Sequence, residues 1–121
     1  MKLSLILSTY NRPDALEKSL QSLMKQNDED FELLVADDGS TAETRELLES
    51  YGPFFKFGFK HVWQEDLGFR LSASRNNALR QAGGDYIVFL DGDCIASPEF
   101  IANHRKLAEP GFFVTGNRIL A

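Results

Sequence analysis

Short apolar runs alternate with helix-period stripes along the whole chain, and that alternation restricts the fold more than any other feature. Residues 3–8 form a compact apolar run that reads as a buried strand. Pro13 then suits a first helical turn, and Leu16, Leu20, Leu23 and Met24 follow on one helical stripe. Residues 31–36 are a second apolar strand. Ser40-Thr41-Ala42-Glu43 fits a capping box, with Leu47, Leu48 and Tyr51 as the next apolar face and Gly52-Pro53 as its stop. A third strand is expected over 57–64 and a helix over 72–82, closed by Gly83-Gly84. Residues 86–90, Tyr-Ile-Val-Phe-Leu, carry the strongest strand signal. Ser97-Pro98 opens a further helix, and 112–115 begin a last strand. The implied architecture is α/β, a mostly parallel sheet with helices on both faces and right-handed crossovers. The 121 residues make one domain.

Three polar clusters follow directly on predicted strands: Thr9-Tyr10-Asn11, Asp37-Asp38 and Asp91-Gly92-Asp93. Open α/β sheets bind ligands outside the carboxyl ends of their strands, so the three clusters can converge in one crevice. Asp91 and Asp93 present two carboxylates at one strand end, suited to a hard divalent ion such as Mg2+ or Mn2+. Gly92 leaves space for a phosphate and permits an unusual backbone angle. Asp37 or Asp38 can accept from a base N–H or a ribose hydroxyl, and Ser40 serves as a helix cap. Arg70, Arg75 and Asn76 surround the start of the third helix, where an arginine can meet phosphate or base.

Other features point to packing. His61 and His104 have no partner at metal-ligand spacing. Phe54, Phe55, Phe57 and Phe59 read as core and loop packing, since their segment is poor in arginine. The lone Cys94 reads as a small buried hydrophobe and fits a reducing compartment. The net charge of −5 argues against nucleic acid as a partner. The first apolar run is too short for a signal peptide, and no stretch reaches the ~18 apolar residues of a membrane span. The expected location is the cytoplasm, free or peripheral to the inner membrane face. The chain has no G-x-G-x-x-G after its first strand, no Walker-type loop and no G-x-S-x-G, which sets aside dinucleotide-binding, P-loop and α/β-hydrolase chemistry.

Taken in order, residues 4–13 (SLILSTYNRP), 34–41 (LVADDGST), 74–78 (SRNNA) and 84–93 (GDYIVFLDGD) resemble family 2 glycosyltransferases, which have the Rossmann-like GT-A fold. Asp66-Leu67-Gly68-Phe69-Arg70 and Gly116-Asn117-Arg118 look similar to a subgroup that includes bacterial chondroitin-type polymerases and polypeptide GalNAc-transferases.

The resemblance implies a UDP-sugar donor, a carbohydrate or other hydroxyl acceptor, inversion at the anomeric carbon and a divalent metal. It implies that Thr9, Tyr10 and Asn11 line the nucleotide pocket, that Asp38 or Asp37 contacts uracil, and that Arg70 and Arg75 contact uracil or phosphate. Asp91 would hold the ribose or sugar, and Asp93, with Asp91, the metal. After Asp93 only Glu99 and Glu109 are carboxylates, and neither matches the family's general-base motif. The expectation is therefore a truncated donor half, its base beyond Ala121, inactive alone and able to dimerise through the surface around 112–120. A nucleotide-sugar-binding module that is inactive on its own, and a metal-dependent nucleotidyltransferase or phosphatase, are the competing readings.

Overall fold

The computed structural model describes residues 2–65, 71–107 and 114–115. Its elements run β1 (Leu3–Thr9), α1 (Pro13–Met24), β2 (Phe31–Asp37), α2 (Ala42–Tyr51), a 3₁₀ turn (Gly52–Phe54), β3 (Phe59–Trp63), α3 (Leu71–Gln81), β4 (Tyr86–Asp91), α4 (Phe100–Leu107) and β5 (Val114–Thr115). The expected alternation is present, and the sheet has the order β3-β2-β1-β4-β5 with every pair parallel. Successive strands step outward from β1 to β3. The chain then crosses back to lay β4 on the other side of β1. That reversal puts the switch in strand order at the β1–β4 pair, and in open parallel sheets ligands bind at the carboxyl ends beside such a switch.

The sheet is covered on both faces, as near-continuous apolar strands require. On one face Leu3, Leu5, Leu7, Leu33, Val35, Tyr86, Val88 and Leu90 pack against Leu16, Leu20 and Leu23 of α1, Leu48 of α2, and Phe100 and Ile101 of α4. On the other, Ile6, Leu34, Ala36 and Val62 pack against Ala78 of α3. Period-2 alternation sends neighbouring residues of one strand to opposite layers. Each of the three buried leucines of α1 contributes roughly 1.5–3 kcal/mol by leaving water.

A polar knot closes the opposite end of the sheet. Glu32 is buried, and its carboxylate accepts from the Ser4 hydroxyl and the Gly83 N–H, each at 2.5 Å. The Ser4 oxygen in turn accepts from the Gly84 N–H at 2.8 Å. A Cβ at Gly84 would sit 2.4 Å from that oxygen, so the loop into β4 needs glycine there. Burial pushes the Glu32 pKa up, but the bonds from Ser4 and Gly83, with nearby Lys2 and Lys60, outweigh it and hold the group below its ordinary value.

Several local expectations are corrected. Ser40 is not the cap of α2: Thr41 is the N-cap residue and makes no side-chain cap bond. The Ser40 hydroxyl is used instead by the Asn11 N–H. The third strand starts at Phe59, because Gly58 takes φ +135° and breaks the extended run. Of the four phenylalanines, Phe55 is buried and stacks on Phe59, whereas Phe54 and Phe57 are exposed. Helix α4 begins at Phe100, after a turn closed by the Phe100 N–H to Ser97 carbonyl bond. The last predicted strand is described only at Val114–Thr115. No helix among the described residues is long and apolar enough to cross a membrane.

Candidate functional site

The three strand ends stand level. Thr9 is in register with Asp37, and Ser8 with Asp91, so the segments leaving β1, β2 and β4 emerge side by side. Gly92 makes this possible: a Cβ there would lie 2.3 Å from the Ser8 carbonyl oxygen. Its role is close approach rather than an unusual backbone angle, because the glycines at positive φ are Gly39 and Gly58. A crevice of about 270 Å³ results, lined by Ser8, Thr9, Tyr10, Arg12, Asp38, Asp91, Gly92 and Asp93.

The two adjacent aspartates do different things. Asp37 belongs to β2, in phase with Leu33 and Val35, and is fully buried. One of its oxygens accepts from the Ser40 N–H at 2.9 Å, and the other lies 2.6 Å from Nε2 of His61. It shapes the loop and does not line the crevice. Asp38 lines it. The Asp38 N–H donates to the Thr9 carbonyl at 3.2 Å, and Oδ1 accepts from Gln64 at 2.7 Å. Gln64 is itself held by Asn77 of α3, also at 2.7 Å.

Asn11 also works behind the crevice. It sits at φ +49°, a left-handed conformation that asparagine tolerates better than most residues. Its N–H donates to Ser40 Oγ at 2.6 Å, and Thr41 Oγ1 donates to its side-chain carbonyl at 3.3 Å. Asn11 thus ties the loop after β1 to the loop after β2.

Arg75 reaches the site from below. Its guanidinium donates to Asp91 Oδ1 at 2.8 Å and to Ser8 Oγ at 3.2 Å, and it lies over the Phe89 ring at 5.7 Å from the centroid. Asp91 is therefore pre-oriented by an arginine, and Asp93 stands exposed beside it. One ligand atom each from Asp91, Asp93 and Cys94 falls within 4.8 Å of the others. The two carboxylates form a donor set that a hard divalent ion fits; a thiol is a poor ligand for such an ion. Cys94 packs half-buried against the main core, with Sγ 3.7 Å from Asp93 Oδ1.

Helix α1 fixes the turn that carries these acids. Ser19 Oγ lies 2.9 Å from the Gly92 carbonyl and 2.6 Å from that of Cys94. Ser22 Oγ accepts from the Ala96 N–H at 3.1 Å. Gln26 donates to the Ser97 carbonyl and accepts from the Ile101 N–H, satisfying the start of α4. Sequence reasoning missed this seam, although Ser19, Ser22 and Gln26 recur at helical spacing beside the apolar stripe. It also missed Gln64, and Arg12 as the basic side chain of the crevice. Arg70, Glu109 and the surface around 112–120 lie outside the described residues, apart from Val114–Thr115, of which the backbone alone is described. Glu99 is exposed just before α4.

The family described as glycosyl transferase family 2 matches residues 4–120. The chain belongs to this family. As a family 2 chain it is 41% identical over 101 residues to validoxylamine A glucosyltransferase of Streptomyces hygroscopicus subsp. jinggangensis (strain 5008), covering 82% of this chain and 24% of that protein. It is 35% identical to chondroitin synthase of Escherichia coli, covering 87% of this chain and 15% of that one. Among solved structures, S. aureus TarS 1-349 in complex with UDP-GlcNAc superposes with a TM-score of 0.79 at 32% identity, over 88% of this chain and 30% of that one. The mannosyltransferase PcManGT of Pyrobaculum calidifontis, in complex with GDP-Man and Mn2+, superposes with a TM-score of 0.76 at 28% identity, over 89% and 32%. The parallel sheet with helices on both faces is thus a GT-A-like fold. This family 2 chain spans less than a third of the length of each of these four proteins.

Proposed function

We propose that the chain is the donor-binding part of an inverting, metal-dependent glycosyltransferase that moves a sugar from a UDP-sugar to a hydroxyl of a carbohydrate or other acceptor. The observation that carries this reading is the meeting of Asp38, Asp91 and Asp93, from the ends of β2 and β4, in one crevice beside β1. The UDP-GlcNAc complex of the TarS relative supports the donor class.

In this reading Thr9 and Tyr10 flank the nucleotide, and Asn11 and Asp37 hold the loops that carry it. Asp38, steadied by Gln64, accepts the N–H of the pyrimidine. Asp91, oriented by Arg75, accepts from a hydroxyl of the ribose or sugar. Arg12 places positive charge beside the diphosphate. Arg70 keeps the role that the resemblance implies, at uracil or phosphate. Asp93 with Asp91 holds Mn2+ or Mg2+, and the Mn2+ in the mannosyltransferase complex supports that class of ion. When bound, the ion stabilises the charge that develops on the departing diphosphate. The carboxylates of the crevice are all assigned to donor and metal, so we assign the general base and the acceptor wall to sequence outside these 121 residues. We place the reaction in the cytoplasm, where a lone cysteine stays reduced.

Calorimetric titration of the chain with UDP and with GDP, Mn2+ present throughout, tests the assignment. UDP is expected to bind about tenfold or more tightly than GDP, a difference near 1.4 kcal/mol. Asp38→Ala should close most of that gap. Equal affinity for the two nucleotides, or a preference untouched by Asp38→Ala, would overturn the role of Asp38.

A further inference from the structure

A second cleft lies on the other side of the 37–40 loop and shares no residue with the crevice. Its volume is about 380 Å³, and Ser40, Thr41, Ala42, Arg45, His61 and Trp63 line it. A neighbouring cleft of about 350 Å³ shares Arg45 and His61 and continues toward Glu49 and Phe59. Together they form one groove between α2 and the edge strand β3. Both volumes fall in the range of small-ligand sites, about 300–1,000 Å³.

Trp63 is the chain's single tryptophan, and 52% of it is exposed. It is not loose: the indole N–H donates to the Ser40 carbonyl at 3.1 Å. A large aromatic ring held rigid with one face in water offers a flat apolar surface on which a ligand can stack at little entropic cost. Arg45 is exposed and has no ion-pair or hydrogen-bond partner for its guanidinium among the described residues. His61 lines both clefts with its ring fixed through Nε2 by Asp37, so it serves as a rigid part of the wall.

We propose that this groove binds a glycan chain bearing a carboxylate, with one pyranose stacked on Trp63 and the acid on Arg45. A pyranose offers an apolar C–H face and a rim of hydroxyls, which matches a flat indole bordered by Ser40 and Thr41. Arginine's planar fork matches a carboxylate in two parallel hydrogen bonds. Glu49 lies in the lower half, so recognition of the acid belongs to the upper half, and a neutral unit follows below. The groove shares no lining residue with the crevice, and its assignment does not depend on the donor assignment.

The single tryptophan makes the test direct. The chain is titrated with a uronate-containing oligosaccharide and with a neutral one of equal length, while Trp63 emission is followed. Both should change the emission saturably, the acidic one binding about tenfold more tightly. Arg45→Gln, at an exposed position, should remove that preference and leave neutral binding unchanged. Binding followed by NMR of the oligosaccharide should survive Trp63→Phe and weaken about tenfold in Trp63→Ala. UDP affinity should be the same in Arg45→Gln as in the parent chain. No saturable emission change with either sugar would overturn the proposal. So would an acid preference that survives Arg45→Gln, or a UDP affinity lost in Arg45→Gln, which would assign the groove to the nucleotide.

Discussion

Gly92 lets the ends of β1 and β4 approach as no other residue can. An added methyl would meet the Ser8 carbonyl at 2.3 Å, and a backbone oxygen in a central strand has little room to yield. Gly92→Ala should therefore cost about 1–3 kcal/mol, the range for overpacking, and open the crevice. Urea unfolding would measure the loss, and a midpoint unchanged from the parent would contradict it. The same scale shows what a sequence conceals. Asp37 and Asp38 are neighbours of identical chemistry and both are buried, yet one braces the loop and the other lines the crevice. Alternation in β2 puts Asp37 in phase with Leu33 and Val35, but both faces of that strand are covered, so phase alone does not tell the two apart. Asn11 was legible as part of a cluster. Its role as a tie between loops was not, because it depends on a left-handed backbone and on Ser40, a distant partner.

Helix α1 was readable as an apolar stripe and turned out to carry a polar seam as well. Its leucines hold it to the sheet, while Ser19 and Ser22, with Gln26 just past its end, hold the segment that runs from Gly92 into α4. Hydrophobic periodicity identifies the first role, but the second needs the position of a chain more than seventy residues away. Ser19 is fully buried, and its loss would leave two carbonyls without this donor. Ser19→Ala should destabilise the chain by about 1–3 kcal/mol. It should also weaken the metal dependence of nucleotide binding, because the turn that presents Asp93 loses its brace. Unchanged stability and metal dependence together would show that the seam is incidental. Helix α2 illustrates the reverse error. Its capping-box sequence was plain, but the Ser40 hydroxyl found a tertiary partner in the Asn11 N–H, and the local motif gave way.

Across the whole molecule, alternation established a parallel α/β sheet, but the strand order was not legible. The order β3-β2-β1-β4-β5 decides which strand ends meet, and it follows from which faces can be buried together. The same packing sets the response to acid. His104 is buried against Phe100, and burial holds its pKa below the ordinary 6.5. The unfolded chain therefore binds the proton more readily. Stability from this group is complete above 6.5 and is lost as pH falls from there toward the folded value. Glu32 is likewise held below 4.5, so its contribution is present above 4.5 and lost below it. The unfolding free energy should fall in two stages on acidification. His104→Phe should abolish the first stage and leave the second. A stability profile flat between 6.5 and 4.5 in the parent chain would contradict the buried, neutral His104.

We propose that strand ends distant in sequence build one site for a nucleotide diphosphate and a divalent ion. Calorimetry of UDP binding with and without Mn2+, in the parent chain and in Asp93→Ala, tests it most directly. Asp93 is exposed, so its replacement should leave the fold intact. Mn2+ should tighten UDP binding about tenfold or more in the parent chain, and Asp93→Ala should bind UDP equally with and without the ion. Equal UDP affinity in the folded parent chain whether or not Mn2+ is present would contradict it.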